Sequence, residues 1–257
     1  MATHPHHPSD GPREFVPRLV FWETTAACNL KCIHCRASAT DFRSADDLTT
    51  EESFRLIDGI AAAAKPILVL SGGEPLVRPD IFEISQYADS KGLKVALATN
   101  GTLVTDDVAI RARESGIQRV SVSIDGKDAA THDSFRQLDG AFDAAIRGIE
   151  AFKRAGLPFQ INTSVANHNK DQLPAILDYF FSQAHVVSLM IQPLSFAGRA
   201  RQQLVAFAMA DDHQQAGGQL PALVVADQDR ADRAVGGEAV FAVAGPGHFL
   251  VLDDLPC

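Results

Sequence analysis

Short apolar, β-branched runs recur along the first two-thirds of this 257-residue chain, and most are followed by apolar positions that return at helical spacing. Arg18 to Thr24 (RLVFWET) predicts a buried strand. Thr49-Thr50-Glu51-Glu52 fits a capping box opened by Thr49 and closed by Glu52, and Phe54, Ile57 and Ala61 mark one face of the helix beyond it. Pro66 to Leu70 (PILVL) predicts the second strand, ahead of the turn Ser71-Gly72-Gly73-Glu74-Pro75. Asp80 is placed to cap a helix whose inward residues are Ile81, Ile84 and Ala88, with Gly92 ending it.

A unit then repeats. Lys91-Gly92-Leu93 leads into the strand Lys94 to Thr99, Ser115-Gly116-Ile117 into Arg119 to Ile124, and Ala155-Gly156-Leu157 into Phe159 to Val165. In each case a helix ends on a glycine able to take the left-handed conformation and a strand begins after one apolar residue. With a last strand from about residue 186 (VVSLMIQPL), six strands are predicted, each separated from the next by room for one helix. Right-handed crossovers then require a parallel α/β sheet, either a partial barrel of six βα units or an open doubly wound sheet.

The flanks differ from this unit. Residues 1–17 are polar, rich in Pro and His and without periodicity, which predicts a flexible arm; its histidines carry no functional weight. Residues 197–257 contain no Lys, Ile, Ser, Thr, Asn or Tyr, although all six occur freely before them. A domain that needs turns and caps seldom omits Ser, Thr and Asn together. Within this irregular tail, Gln202 to Met209 weakly predicts a helix, and Val240 to Val243 and Phe249 to Leu252 short strands. The expected division is an arm (1–17), an α/β unit (18–196) and a frameshifted, truncated or otherwise non-native tail (197–257).

A hydrophobic content of 46% provides for a sizeable core, and a formal charge of −9 argues against nucleic acid or an anionic membrane as the main partner. No apolar run approaches the ~18 residues of a membrane span, and no basic segment followed by an apolar one opens the chain, so the expected location is the cytoplasm. Reduced thiols survive there.

The chemistry concentrates in Cys28-Asn29-Leu30-Lys31-Cys32-Ile33-His34-Cys35, a CxxxCxxC run whose only companion cysteine is Cys257. Three thiols in eight residues make a poor disulfide framework and a good metal site. Structural zinc and iron–sulfur clusters normally take four protein ligands, so three leave a position open for something else. A zinc site completed by His34 is the competing reading, though a ligand adjacent to Cys35 is awkwardly placed to reach the same ion.

With this run after the first predicted strand, Gly72-Gly73-Glu74-Pro75 after the second, Thr99-Asn100-Gly101 after the third and Ser123-Ile124-Asp125-Gly126 after the fourth, the chain resembles the radical S-adenosylmethionine (SAM) superfamily from about Arg18 to Leu194. The resemblance implies a partial (βα)6 barrel and an oxidoreductase. It also implies that Cys28, Cys32 and Cys35 hold three irons of a 4Fe-4S cluster whose open iron takes SAM, and that SAM is cleaved to a 5′-deoxyadenosyl radical. Gly72 and Gly73 are expected to let backbone approach the methionyl amino group and Glu74 to face that ammonium. Ser123 is expected to bond to SAM, Arg136 to pair with its carboxylate, and His34 to lie against the adenine, with Asn100 and Asn162 as weaker contacts. A solvated surface arginine is the alternative for Arg136.

Within the superfamily, CNLKCIHCR, KPILVLSGGEPLVRPDIFE, VALATNGT and IQRVSVSIDG look most like the SAM-dependent heme synthases and NirJ-like enzymes of heme biosynthesis. That likeness implies a porphyrin substrate, oxidatively decarboxylated or otherwise modified on its side chains, and a reducing donor such as ferredoxin or flavodoxin. A maturase of a peptide or redox cofactor, of the pyrroloquinoline-quinone type, and an inactive cluster-binding remnant are the alternatives. Relatives of this kind usually carry a cysteine-rich SPASM extension for an auxiliary cluster, whereas only Cys257 follows Cys35 here. Sequencing the underlying gene tests the tail: an intact second domain in another reading frame is expected, and a clean single frame would refute it.

Overall fold

The computed structural model describes residues 16–194 and 197–200, with the backbone of 242–244 and 248–250. Six parallel strands pair in chain order: β1 (Leu19–Glu23), β2 (Ile67–Ser71), β3 (Lys94–Thr99), β4 (Ile117–Ser123), β5 (Phe159–Val165) and β6 (Val186–Pro193). A doubly wound sheet would reverse its strand order part-way, so this progression selects the partial barrel. The crossovers are α1 (Thr50–Ala63), α2 (Ile81–Ser90), α3 (Asp106–Glu114), α4 (Ala129–Arg136), α5 (Ala141–Arg154) and α6 (Leu173–Phe181). Residues 1–15 of the predicted arm (1–17) and the predicted helix Gln202 to Met209 lie outside the described residues. The backbone of Ala242–Ala244 and His248–Leu250 forms an antiparallel pair near the two strands expected in the tail.

The strand alternation divides the sheet into two faces. Leu68, Leu70, Val95, Leu97, Val120, Val122, Phe159 and Ile161 point outward and are buried under the helices, against Ile57, Ile84, Ile149 and Phe152. The capping box of α1 forms as its sequence predicts, Glu52 N–H donating to Thr49 Oγ1 at 3.2 Å and Thr49 N–H to Glu52 Oε2 at 2.9 Å. Gly92, Gly116 and Gly156 take φ of 78°, 86° and 73°, the left-handed helix ends expected before β3, β4 and β5.

Two expectations are corrected. Where room for one helix was counted between β4 and β5 there are two, because Gly140 opens a second helix after α4. Asp80 stands at the N-cap of α2, just before Ile81, but makes no capping bond, since its carboxylate is taken by stronger partners. Arg78, 1% exposed, donates Nε to Asp80 Oδ1 at 2.8 Å and Nη2 to Asp80 Oδ2 at 2.9 Å, a fork-to-fork pair. The same guanidinium reaches Ser53 Oγ at 3.0 Å and the Thr24 carbonyl at 2.7 Å, while Thr50 Oγ1 donates to Asp80 at 2.7 Å. One buried arginine thus ties the end of β1 to the starts of α1 and α2.

Burial opposes ionisation of Asp80, but the hydrogen bonds from Arg78 and Thr50 outweigh it and hold the carboxyl down to about 2. A depressed carboxyl stabilises the fold fully above its ordinary value of 3.8 and loses that effect as pH falls through about 2. At 1.36 kcal/mol per unit the contribution is about 2 kcal/mol. Arg78→Ala is expected to lower unfolding free energy by roughly 3–5 kcal/mol, because the half-buried Asp80 carboxylate and the Thr24 carbonyl lose their partner. Urea unfolding at neutral pH and in acid checks both, the variant lacking the acid-dependent component.

Candidate functional site

Because all six strands are parallel, the loops that follow β1 to β4 gather at one edge of the sheet, the place where α/β folds keep their chemistry. The cysteine loop leaves β1 and is stitched to the turn after β2. Thr24 N–H donates to Ser71 O at 2.8 Å, Gly73 N–H to Thr25 O at 2.8 Å and Glu74 N–H to Ala27 O at 2.8 Å. Backbone can approach this closely only without side chains between. A Cβ on Gly72 would stand 2.5 Å from Thr25 O and one on Gly73 2.2 Å from Ala27 O, and Gly72 has φ 137°. Asp47 closes the base of the loop, accepting from Thr25 Oγ1 at 2.5 Å and Ala26 N–H at 3.1 Å. Cys28 N–H to Thr40 O at 2.8 Å joins the loop's two limbs.

Each cysteine sulfur faces a donor. Leu30 N–H points at Cys28 Sγ and Ala39 N–H at Cys35 Sγ, both at 3.4 Å. Asn100 Nδ2 lies 3.9 Å from Cys28 Sγ and Arg136 Nη1 3.9 Å from Cys32 Sγ. Burial pushes the Cys28 thiol up to about 11 and also raises Cys32, so a bound cation is what would favour their thiolates. Among the described residues no three His, Cys, Asp or Glu side chains gather tightly enough to grip one metal ion. Zinc takes every sulfur on a single centre, whereas a cluster takes each thiolate on its own iron, so a set of three thiols fits the cluster. His34 offers no fourth ligand: its ring stacks on Phe135 with centroids 3.9 Å apart, and Nε2 lies 3.6 Å from Asp125 Oδ2.

Glu74 is wholly buried. Its carboxylate accepts from Asn100 N–H at 2.7 Å, Thr99 Oγ1 at 2.8 Å and Leu76 N–H at 3.1 Å, bracketing the turn after β2 to the loop after β3; burial nevertheless raises its carboxyl. Asn100 is equally engaged, donating to Asn29 Oδ1 at 2.9 Å and accepting from Thr102 N–H at 2.9 Å. Ser123 and Asn162 are register partners across β4 and β5, side by side on the inner face.

Arg136 is buried rather than solvated. Its Nε donates to Asp125 Oδ2 at 2.6 Å, and Asp125, with no exposure, also accepts Ser164 N–H at 2.8 Å. Burial opposes ionisation of Asp125, and the Arg136 guanidinium beside it keeps the carboxyl below its ordinary range. Around them, His132 Nδ1 accepts Asp125 N–H at 3.0 Å, Asn169 donates to Asp125 O at 2.7 Å, and Phe135 lies between His34 and His168. Burial lowers His34 to about 3 and His132 to about 4, so both are neutral at pH 7.

The sequence reading assigned no role to Asp125 or Arg199. An acid two residues beyond β4, after the apolar Ile124 and eleven residues before an arginine, was the available signal for Asp125. Arg199 falls in the segment assigned to the tail, yet its N–H donates to Cys35 O at 2.9 Å and Nη1 to Cys32 O at 3.1 Å, and Ala200 is fully buried. Gly73→Ala is expected to displace the loop, lower stability by about 1–3 kcal/mol and reduce iron loading under anaerobic reconstitution. Iron content per chain beside a thermal melt measures both.

Residues 22–180 match the family described as the radical SAM superfamily. The chain is 53% identical over 157 residues to the "AdoMet-dependent heme synthase" of Methanosarcina barkeri, covering 61% of this chain and 45% of that protein. It is 38% identical over 181 residues to that organism's "Fe-coproporphyrin III synthase", covering 70% of this chain and 45% of that one, so the matched region spans less than half of these relatives. The fold resembles Streptococcus suis SuiB bound to S-adenosylmethionine, with TM-score 0.63, 15% identity, and 77% of this chain and 48% of that chain covered. With more than half of its length matching the family, over the strands and loops described above, the chain belongs to the radical SAM superfamily.

Proposed function

We propose that this chain carries the SAM-cleaving barrel of a radical SAM enzyme of heme biosynthesis, acting on the propionate side chains of an iron porphyrin. The observation that carries the reading is the cysteine loop, with a hydrogen-bond donor at each of three sulfurs and a glycine turn held against it. The similarity to proteins named as heme and Fe-coproporphyrin synthases supports the substrate class. The proposed division keeps residues 1–17 as an arm, 18–196 as the barrel and 197–257 as an atypical tail.

The cluster that Cys28, Cys32 and Cys35 would hold would supply the electron for reductive cleavage of SAM, and with it the radical chemistry that activates a substrate C–H bond. The chain's residues hold and orient. Cys28, Cys32 and Cys35 are the proposed cluster ligands. The backbone freed by Gly72 and Gly73 receives the methionyl ammonium, with Glu74 supplying negative charge from beneath the turn. Arg136, aligned by Asp125, presents its free guanidinium edge to the methionyl carboxylate and to Cys32. Ser123 and Asn162, with Asn100 at the neighbouring loop, offer polar contacts to the nucleoside. The His34 backbone borders the adenine, its ring being turned toward Phe135 and Asp125. A ferredoxin or flavodoxin in the cytoplasm is the proposed donor. Among the described residues no helix is long and apolar enough to cross a membrane.

Anaerobic reconstitution followed by a reductive SAM-cleavage assay, with and without iron-coproporphyrin, tests this. A brown protein that releases 5′-deoxyadenosine and consumes the porphyrin is expected. Cys32→Ala is expected to abolish colour and cleavage while Cys257→Ala changes neither. Cleavage with an unaltered porphyrin overturns the substrate, and iron binding without cleavage overturns the enzyme.

A further inference from the structure

The inner face of the sheet, opposite the helices, is not uniform. On β1 and β2 it carries Leu19, Phe21, Ile67 and Val69, with Leu19 registered on Ile67 and Phe21 on Val69. Phe21 is 48% and Ile67 41% exposed, two large apolar side chains open on one small plate. On β3 this face carries Lys94, Ala96 and Ala98. On β4 to β6, Arg119 and Met190 apart, it carries neutral polar side chains: Ser188 Oγ donates to Gln160 Oε1 at 2.8 Å, Gln160 Nε2 to Asn162 Oδ1 at 2.8 Å, and the Ser121 hydroxyl beside Gln160 is buried with no partner.

Two cations stand out. Register between β3 and β4 slips at Val95/Ala96, so that Val95 pairs with Ile117 but Ala96 with Arg119. A regular strand with Ile117 on the core face would turn residue 119 to the core as well; the irregularity re-aims Arg119 to the inner face, beside Ala96 and diagonal to Lys94. Neither Lys94 nor Arg119 forms an ion pair among the described residues, in a chain whose formal charge is −9. The inner-face carboxylate, Glu23, lies at the opposite end of its strand and is held by Arg36 at 2.6 Å. Lys94 begins β3 and Arg119 is registered on Ala96, so at ~3.3 Å per residue they sit about 17 Å and about 10 Å below the loop-bearing end of that strand at Thr99.

We infer that Lys94 and Arg119 bind the carboxylates of a flat, largely apolar substrate whose body lies on the Leu19, Phe21, Ile67 and Val69 plate. The inference rests on the proposed function and names the residues that give it specificity. The plate supplies apolar area and the guanidinium and ammonium supply charge complementarity, while the small Ala96 and Ala98 leave room between the cations and the cluster edge. A macrocycle with acidic side chains on opposite edges spans that depth, holding one edge at the cations and presenting another to the radical source.

The test is an anaerobic titration of the reconstituted full chain with iron-coproporphyrin III and with its tetramethyl ester, followed by porphyrin absorbance. The tetra-acid is expected to bind more tightly than the ester. Lys94→Glu/Arg119→Glu is expected to weaken the tetra-acid by roughly 10- to 100-fold, leave the ester unchanged, and retain substrate-free 5′-deoxyadenosine release, which shows that the fold and SAM site survive. Lys94→Arg/Arg119→Lys is expected to retain tetra-acid binding, and Arg55→Glu, on the outside of α1, to match the native chain. Equal tetra-acid binding by the native chain and the charge-reversed variant, or equal binding of acid and ester by the native chain, overturns the inference alone. Failure of the native chain to bind either porphyrin overturns the proposed function with it.

Discussion

The site depends on one close contact between two loops. Residues 25–27 of the cysteine loop run alongside the turn after β2 near enough for Gly73 and Glu74 N–H to reach the Thr25 and Ala27 carbonyls at 2.8 Å. That approach requires two adjacent positions without Cβ, because the space a methyl group would fill already holds carbonyl oxygen. Neighbouring interactions reinforce it. Arg78 draws the Thr24 carbonyl down to the helix starts, Asp47 closes the loop from its far side, and Glu74 joins the turn to the loop after β3. The cysteines therefore leave a framework braced on three sides, and little loop entropy remains to be lost when a ligand binds.

A second buried pair governs the opposite wall. Arg136 and Asp125 come from α4 and the end of β4, and neither charge would be tolerable in that interior alone. Together they leave the guanidinium one edge free toward Cys32, so the local positive field falls where thiolates and a carboxylate are expected. The neutral imidazoles of His34 and His132 pack around the pair without adding charge. Arg136 thus places a fixed guanidinium at the sulfurs, Arg199 adds another at the Cys32 carbonyl, and the inner face carries Lys94 and Arg119 toward the far end of the sheet.

The strand and helix order was legible in the sequence because it depends on local rules: alternation within strands, a capping box at Thr49 to Glu52, and glycines at 92, 116 and 156 that end helices. The glycine pair was legible for the same reason, since close backbone approach is a short-range demand. Asp80 shows where such rules stop. It has the right residue type and position for a cap, but a buried arginine two residues earlier claims its carboxylate, and charge-assisted bonds outweigh a backbone cap.

By itself the sequence determined the succession of strands and the loops that gather at one edge of their sheet, the cysteine loop and the glycine turn among them, all of which follow from patterns a few residues long. Tertiary structure decided the rest. Sequence periodicity could not say that Arg136 turns to Asp125, that Glu74 is enclosed, that Arg199 returns to the cysteine loop, or that Arg119 swings to the inner face. Each depends on a partner in another element, from 11 to 167 residues away, or on a register slip between two strands, and the free energy of such contacts is set by the burial and pairing that folding creates.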